Sequence, residues 1–82
     1  MKLKQIGSNQ TQLSHDGLVV LFSYETPVAA LLPSGRYIKT GTKYSVTTTK
    51  HVNRWLQGVF SDVETVAQGV LDGLVEGRHN EN

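Results

Sequence analysis

The chain has 82 residues, no cysteine, eight lysines and arginines against seven aspartates and glutamates, and a formal net charge of +1. Such a length supports one core of modest size, and the missing thiols exclude disulfides, thiolate nucleophiles and cysteine-based zinc sites. Lys2 and Lys4 run straight into Gln5, Ser8, Asn9 and Gln10 with no apolar stretch of a signal peptide, and the longest apolar runs, 18–22 and 28–32, are too short to cross a bilayer. The expectation is a soluble single domain over residues 1–82 with no membrane partner.

The near-neutral total conceals a polarity along the chain. Up to Gly58, the cations Lys2, Lys4, Arg36, Lys39, Lys43, Lys50 and Arg54 face only Asp16 and Glu25; beyond it, Arg78 stands against Asp62, Glu64, Asp72, Glu76 and Glu81. The two parts therefore have opposite electrostatic characters.

In chain order, Gln10 to His15, Asp16-Gly17 and Leu18 to Tyr24 read as a β-hairpin, because Asp-Gly readily takes the two positive φ values of a type I′ turn. Apolar residues occupy both faces of its second strand, Val20, Phe22 and Tyr24 on one and Val19 and Leu21 on the other, as in a central strand. Thr26-Pro27 interrupts the ladder, Val28 to Leu32 begins a new strand, and Pro33-Ser34-Gly35 turns it back into Arg36 to Thr40. Gly41-Thr42 turns again, and Lys43 to Val46 is expected to be a short strand or an extended approach to a helix.

That first helix is expected over about 47–57, capped by Thr47 or Thr48, with Val52, Trp55 and Leu56 on one face and Gly58 as its stop. Val59 and Phe60 should fold back onto the core. A second helix is expected over about 62–76. Ser61 and Glu64 have the spacing of a capping box, Val63, Val66, Ala67, Val70, Leu71, Leu74 and Val75 form a 3.6-residue stripe, and Gly77 ends it before a polar tail, 78–82. The fold class is α+β: an antiparallel sheet of about three to five strands, within about 3–46, with two C-terminal helices packed on one face.

Two segments carry a family resemblance: Phe22-Ser23-Tyr24-Glu25-Thr26-Pro27-Val28-Ala29, and Tyr44-Ser45-Val46-Thr47-Thr48-Thr49-Lys50-His51-Val52-Asn53-Arg54-Trp55-Leu56. Together they resemble a family of small uncharacterised proteins of tailed bacteriophages, in which a Ser-Tyr-x-Thr-Pro-Val-Ala segment precedes a Thr-Thr-x-His-x-x-x-Trp-Leu helix. The resemblance spans roughly Ile6 to Gly58. It implies a phage or prophage source, an accessory role in the host cytoplasm, and no catalytic residues.

The candidate binding surface is Thr40 to Arg54. Thr47 and Thr48 open a helix, Lys43, Lys50 and Arg54 lie close in sequence, and Tyr37 and Tyr44 are available to stack on bases. The alternative is that the threonines only cap and the cations form a solvated face. His51 lies one turn before Trp55 and is expected to pack on it or to hydrogen-bond to a neighbouring loop; a second reading makes it a proton-transfer or phosphate-contacting group. His15-Asp16 sits at a hairpin turn, where aspartate suits the backbone, so the pair is expected to be structural. His15, His51 and His79 lack ligand spacing, hence no metal and no cofactor are expected.

Gly69, Gly73 and Gly77 recur every four residues beside Val66, Val70 and Leu74, and glycine costs a helix interior about 1 kcal/mol relative to alanine. A homodimer packed along this line is one compensation. With no hydrolase, metalloprotease or nucleotide-loop motif in the chain, the leading expectation is a non-enzymatic module binding a host or phage macromolecule, a protein for preference. Nucleic acid held by the Lys43 to Arg54 surface is the alternative, and a small-molecule or hydrolytic site around Tyr24, His51 and the threonines is a third.

Overall fold

The structure, a computed structural model, describes residues 2–59 and 62–79. Its order is β1 (Lys2–Gly7), β2 (Gln10–His15), β3 (Leu18–Ser23), β4 (Thr26–Leu31), β5 (Tyr37–Thr40), α1 (Val46–Trp55), β6 (Val63–Val66) and α2 (Gln68–His79). The strands form one sheet in sequence order, antiparallel from β1 to β5, with β6 parallel to β5. A parallel neighbour cannot be reached by a tight turn, and α1 lies in the crossover that reaches it.

The α+β class with a mostly antiparallel sheet is as expected, but the described residues form six strands rather than three to five. The additional ones are the outermost: β1, which carries the polar N-terminal residues, and β6, which occupies part of the segment read as a helix. Glu64 is therefore on a strand and caps nothing. Val63, Thr65 and Val66 are β-branched, which suits a pleated edge strand better than a first helical turn. The second helix starts at Gln68 and passes through Gly77 to His79. Phe60 and Ser61, assigned to a core contact and a helix cap, lie outside the described residues.

The β2–β3 hairpin turns at Asp16 (φ 50°) and Gly17 (φ 85°), both in the left-handed region that Asp-Gly favours. Between β3 and β4 the register slips: Leu21 pairs with Ala29, but Phe22 pairs with Pro27, leaving Val28 as the extra residue of a bulge. The bulge accommodates Pro27 inside a strand and turns both Val28 and Ala29 into one apolar cluster with Leu21.

The helices do not share a face. Leu13, Leu18, Val20, Ala30 and Ile38 pack with Leu71 of α2, supported by Leu74 and Val75. Leu21, Val28 and Ala29 pack with Val52 of α1, backed by Trp55 and Leu56. Val20 and Leu21 are adjacent on β3 and both fully buried, so they point to opposite sides of the sheet. The architecture is three layers, helix over sheet over helix. The two helices differ in charge, since α1 carries Lys50 and Arg54 with no carboxylate whereas α2 carries Asp72 and Glu76 together with Arg78.

Candidate functional site

The site lies where α1 crosses the end of β3. Ser45, not Thr47 or Thr48, caps α1: its backbone is extended and its Oγ accepts the Thr48 amide at 3.1 Å. The Thr48 hydroxyl is thereby released for another task. Ser45 Oγ donates to Thr48 Oγ1 (3.2 Å), Thr48 Oγ1 lies 3.0 Å from Ser23 Oγ, and Ser23 Oγ lies 2.8 Å from His51 Nδ1.

Each hydroxyl gives one proton and accepts at two lone pairs, so the chain runs in either sense: Ser23 donates to His51 Nδ1, or the Nδ1–H form of His51 donates to Ser23 Oγ, which then donates to Thr48. The other ring nitrogen, Nε2, has no hydrogen-bond partner among the described residues. Ser23 is 2% exposed and His51 9%, so the chain of hydroxyls is internal and only the ring edge reaches a surface. The hydroxyl nearest the imidazole is therefore withheld from any substrate.

The surface it reaches is a cleft of about 540 Å³ between α1 and the β1–β2 turn. Thr47, Lys50, His51, Asn53 and Arg54 line the helical wall, Gly7, Ser8 and Gln10 the other, and no carboxylate is among them. Tyr24, with its ring centroid 6.2 Å from that of His51, is 52% exposed. Its φ of 59° is unusual for a bulky residue, and its amide donates to Asn9 O at 2.7 Å, tying the β3–β4 turn to the β1–β2 turn.

The candidate binding residues thus divide. Thr47, Lys50, His51 and Arg54 share the cleft. Lys43 and Tyr44 line a smaller depression of about 240 Å³ with Lys39 and Thr49, again without carboxylates. Thr48 is buried. Tyr37 packs edge-on against Trp55 at 6.0 Å, so its ring faces the protein's own tryptophan. Trp55, in turn, donates from Nε1 to Gln12 Oε1 (3.0 Å); it does not hold His51, whose ring contact is Tyr24. Ser23 is the site member least visible in sequence, for a strand-end serine signals nothing until α1 brings His51 to it.

His15 Nε2 and Asp16 Oδ2 do meet, at 2.9 Å, at the hairpin turn. No cluster of three metal-ligating side chains occurs among the described residues. The self-association candidates also divide: Val66 and Leu74 pack into the chain's own core, whereas Gly69 and Gly73 border open space and Val70 is half exposed.

A family model matches residues 1–73, from β1 through the first half of α2. The chain belongs to a family of unknown function, DUF8033. An uncharacterised family was the expectation, and the match extends past Gly58, where the motif resemblance ends, to include β6 and Leu71. No curated protein and no solved structure matches the chain.

Proposed function

We propose that this DUF8033 protein is a non-enzymatic binding module that holds nucleic acid against its α1 layer. The observation that carries the reading is the cleft beside α1, where Lys50, Arg54, Asn53 and Thr47 surround the His51 edge with no carboxylate on either wall. Lysine and arginine supply charge for phosphates, while asparagine and threonine supply hydrogen bonds. Lys39 and Lys43 extend the cationic surface past the helix, and neither ion pair found among the described residues, His15–Asp16 or Arg36–Glu64, draws on these cations. The Ser-Tyr-x-Thr-Pro-Val-Ala and Thr-Thr-x-His-x-x-x-Trp-Leu motifs support a phage or prophage accessory role in a bacterial host.

The test is fluorescence anisotropy of a labelled oligonucleotide over a range of salt. Wild-type affinity falls with salt, and Lys50→Ala/Arg54→Ala reduces the magnitude of the log–log slope by about 1.4 on a single strand, as expected for two lost phosphate contacts. Absence of binding at low salt overturns the reading.

A protein partner is the second reading, favoured by β1. It is the outermost strand, with Leu3 and Ile6 exposed, and its free edge suits addition of an extended segment. Affinity capture that survives nuclease treatment, and fails when Lys4 and Ile6 are replaced by proline, would favour it.

A further inference from the structure

Tyr24 occupies the first position of the two-residue turn between β3 and β4, with φ 59°, where glycine or asparagine is the ordinary choice. A tyrosine at such a backbone persists only where its surroundings hold it, and strain of this kind gathers at binding sites. Here the ring is not held for the sake of the core: it is half exposed, beside the His51 ring that closes the cleft. His51 is held through Nδ1 by the Ser45–Thr48–Ser23 chain of hydroxyls, and its ring lines the same cleft as Lys50 and Arg54. An anion-accepting group and a free aromatic face therefore lie side by side.

We propose that these two features together hold one nucleotide of a single strand, its phosphate at Lys50, Arg54 and the edge of the His51 ring and its base on the Tyr24 ring. This rests on the nucleic-acid reading above and sharpens it. A duplex keeps its bases stacked on one another and offers the cations only its backbone, whereas a single strand leaves a base face free for an aromatic side chain. His51 contributes by position, its ring edge lying beside the two cations, and the ring of Tyr24 supplies preference for strand form.

The experiment measures anisotropy with a labelled single strand and a duplex of equal length on the wild type, Tyr24→Phe and Tyr24→Gly. Glycine removes the ring and suits the positive φ, so the protein remains folded. The wild type binds the single strand about ten-fold more tightly than Tyr24→Gly does, in the range given by one stacked base, with the salt slope and duplex affinity unchanged. Tyr24→Phe stays within about two-fold of wild type on the single strand. Equal losses on both strand forms, a wild-type preference for duplex, or a fall in Tyr24→Phe as large as in Tyr24→Gly overturns the proposal while leaving the α1 layer as a polyanion surface. No binding to either form overturns both.

Discussion

The Ser23 hydroxyl at the end of β3 and the His51 ring on α1 meet at 2.8 Å across 28 positions of the chain. Both are buried, so this contact joins the helix to the sheet with a polar bond inside an otherwise apolar layer. Ser23→Ala leaves His51 Nδ1 and the Thr48 hydroxyl without their shared partner, at a cost of about 1–3 kcal/mol. The urea midpoint should fall with the slope unchanged. Imidazole nitrogen shifts should differ between the wild type and the variant, because Ser23 Oγ is the partner of His51 Nδ1. Equal midpoints would show that the relay adds no net stability.

Gly58 and Gly73 both border open space, so a methyl group meets no atom at either, yet their backbones differ. Gly58 has φ +88°, where an L side chain costs about 1–2 kcal/mol, whereas Gly73 lies within α2. Gly58→Ala should therefore destabilise the protein, while Gly73→Ala should stabilise it by about 0.8–1 kcal/mol through helix propensity alone. Chemical denaturation gives both signs. Light scattering adds a second readout: if another copy packs on the Gly69–Gly73 line, Gly73→Ala loses the dimer and the gain disappears.

The Arg36–Glu64 pair connects the turn before β5 to edge strand β6, with both side chains more than half exposed. Exposed pairs of this kind contribute less than about 1 kcal/mol, because water screens them and two long side chains must be ordered. Glu64→Gln should shift the midpoint by less than that. A larger loss would indicate that the pair, rather than the backbone ladder and Val66, holds β6 in place.

Asp16-Gly17, Pro33-Ser34-Gly35 and the Val52–Trp55–Leu56 face were legible because each is a local pattern with a local cause. β6 was not, since Val63 and Val66 satisfy a helical spacing as well as they do the strand, and only the β-branched run at Val63, Thr65 and Val66 tips the balance. The placement of the helices was partly legible: a β3 strand apolar at both Val20 and Leu21 requires cover on both faces, which two helices on one side cannot provide. Lys50, His51 and Arg54 could be picked out along α1, but Ser23, Gly7 and Ser8 enter the site only through strand order. Nothing local in the sequence brings the β1–β2 turn to α1.

Leu71 is fully buried on the side of the sheet away from the cleft, packed with Leu13, Val20, Ala30 and Ile38. Leu71→Ala removes this anchor of α2 and should cost about 2–5 kcal/mol, depending on how far the layer collapses into the cavity. At roughly 0.05–0.15 kcal/mol per residue, total stability for a chain of this length is itself limited, so the fall in urea midpoint should be large. Oligonucleotide affinity measured well below the melting temperature should nonetheless stay within about two-fold of wild type, because His51, Lys50 and Arg54 stand on α1 across the sheet. The emission of Trp55, which packs between Tyr37 and Gln12, monitors whether the α1 layer is intact under those conditions. Lost affinity with an unchanged Trp55 signal would show that the α2 layer shapes the cleft through the sheet, and would make both helices part of one site.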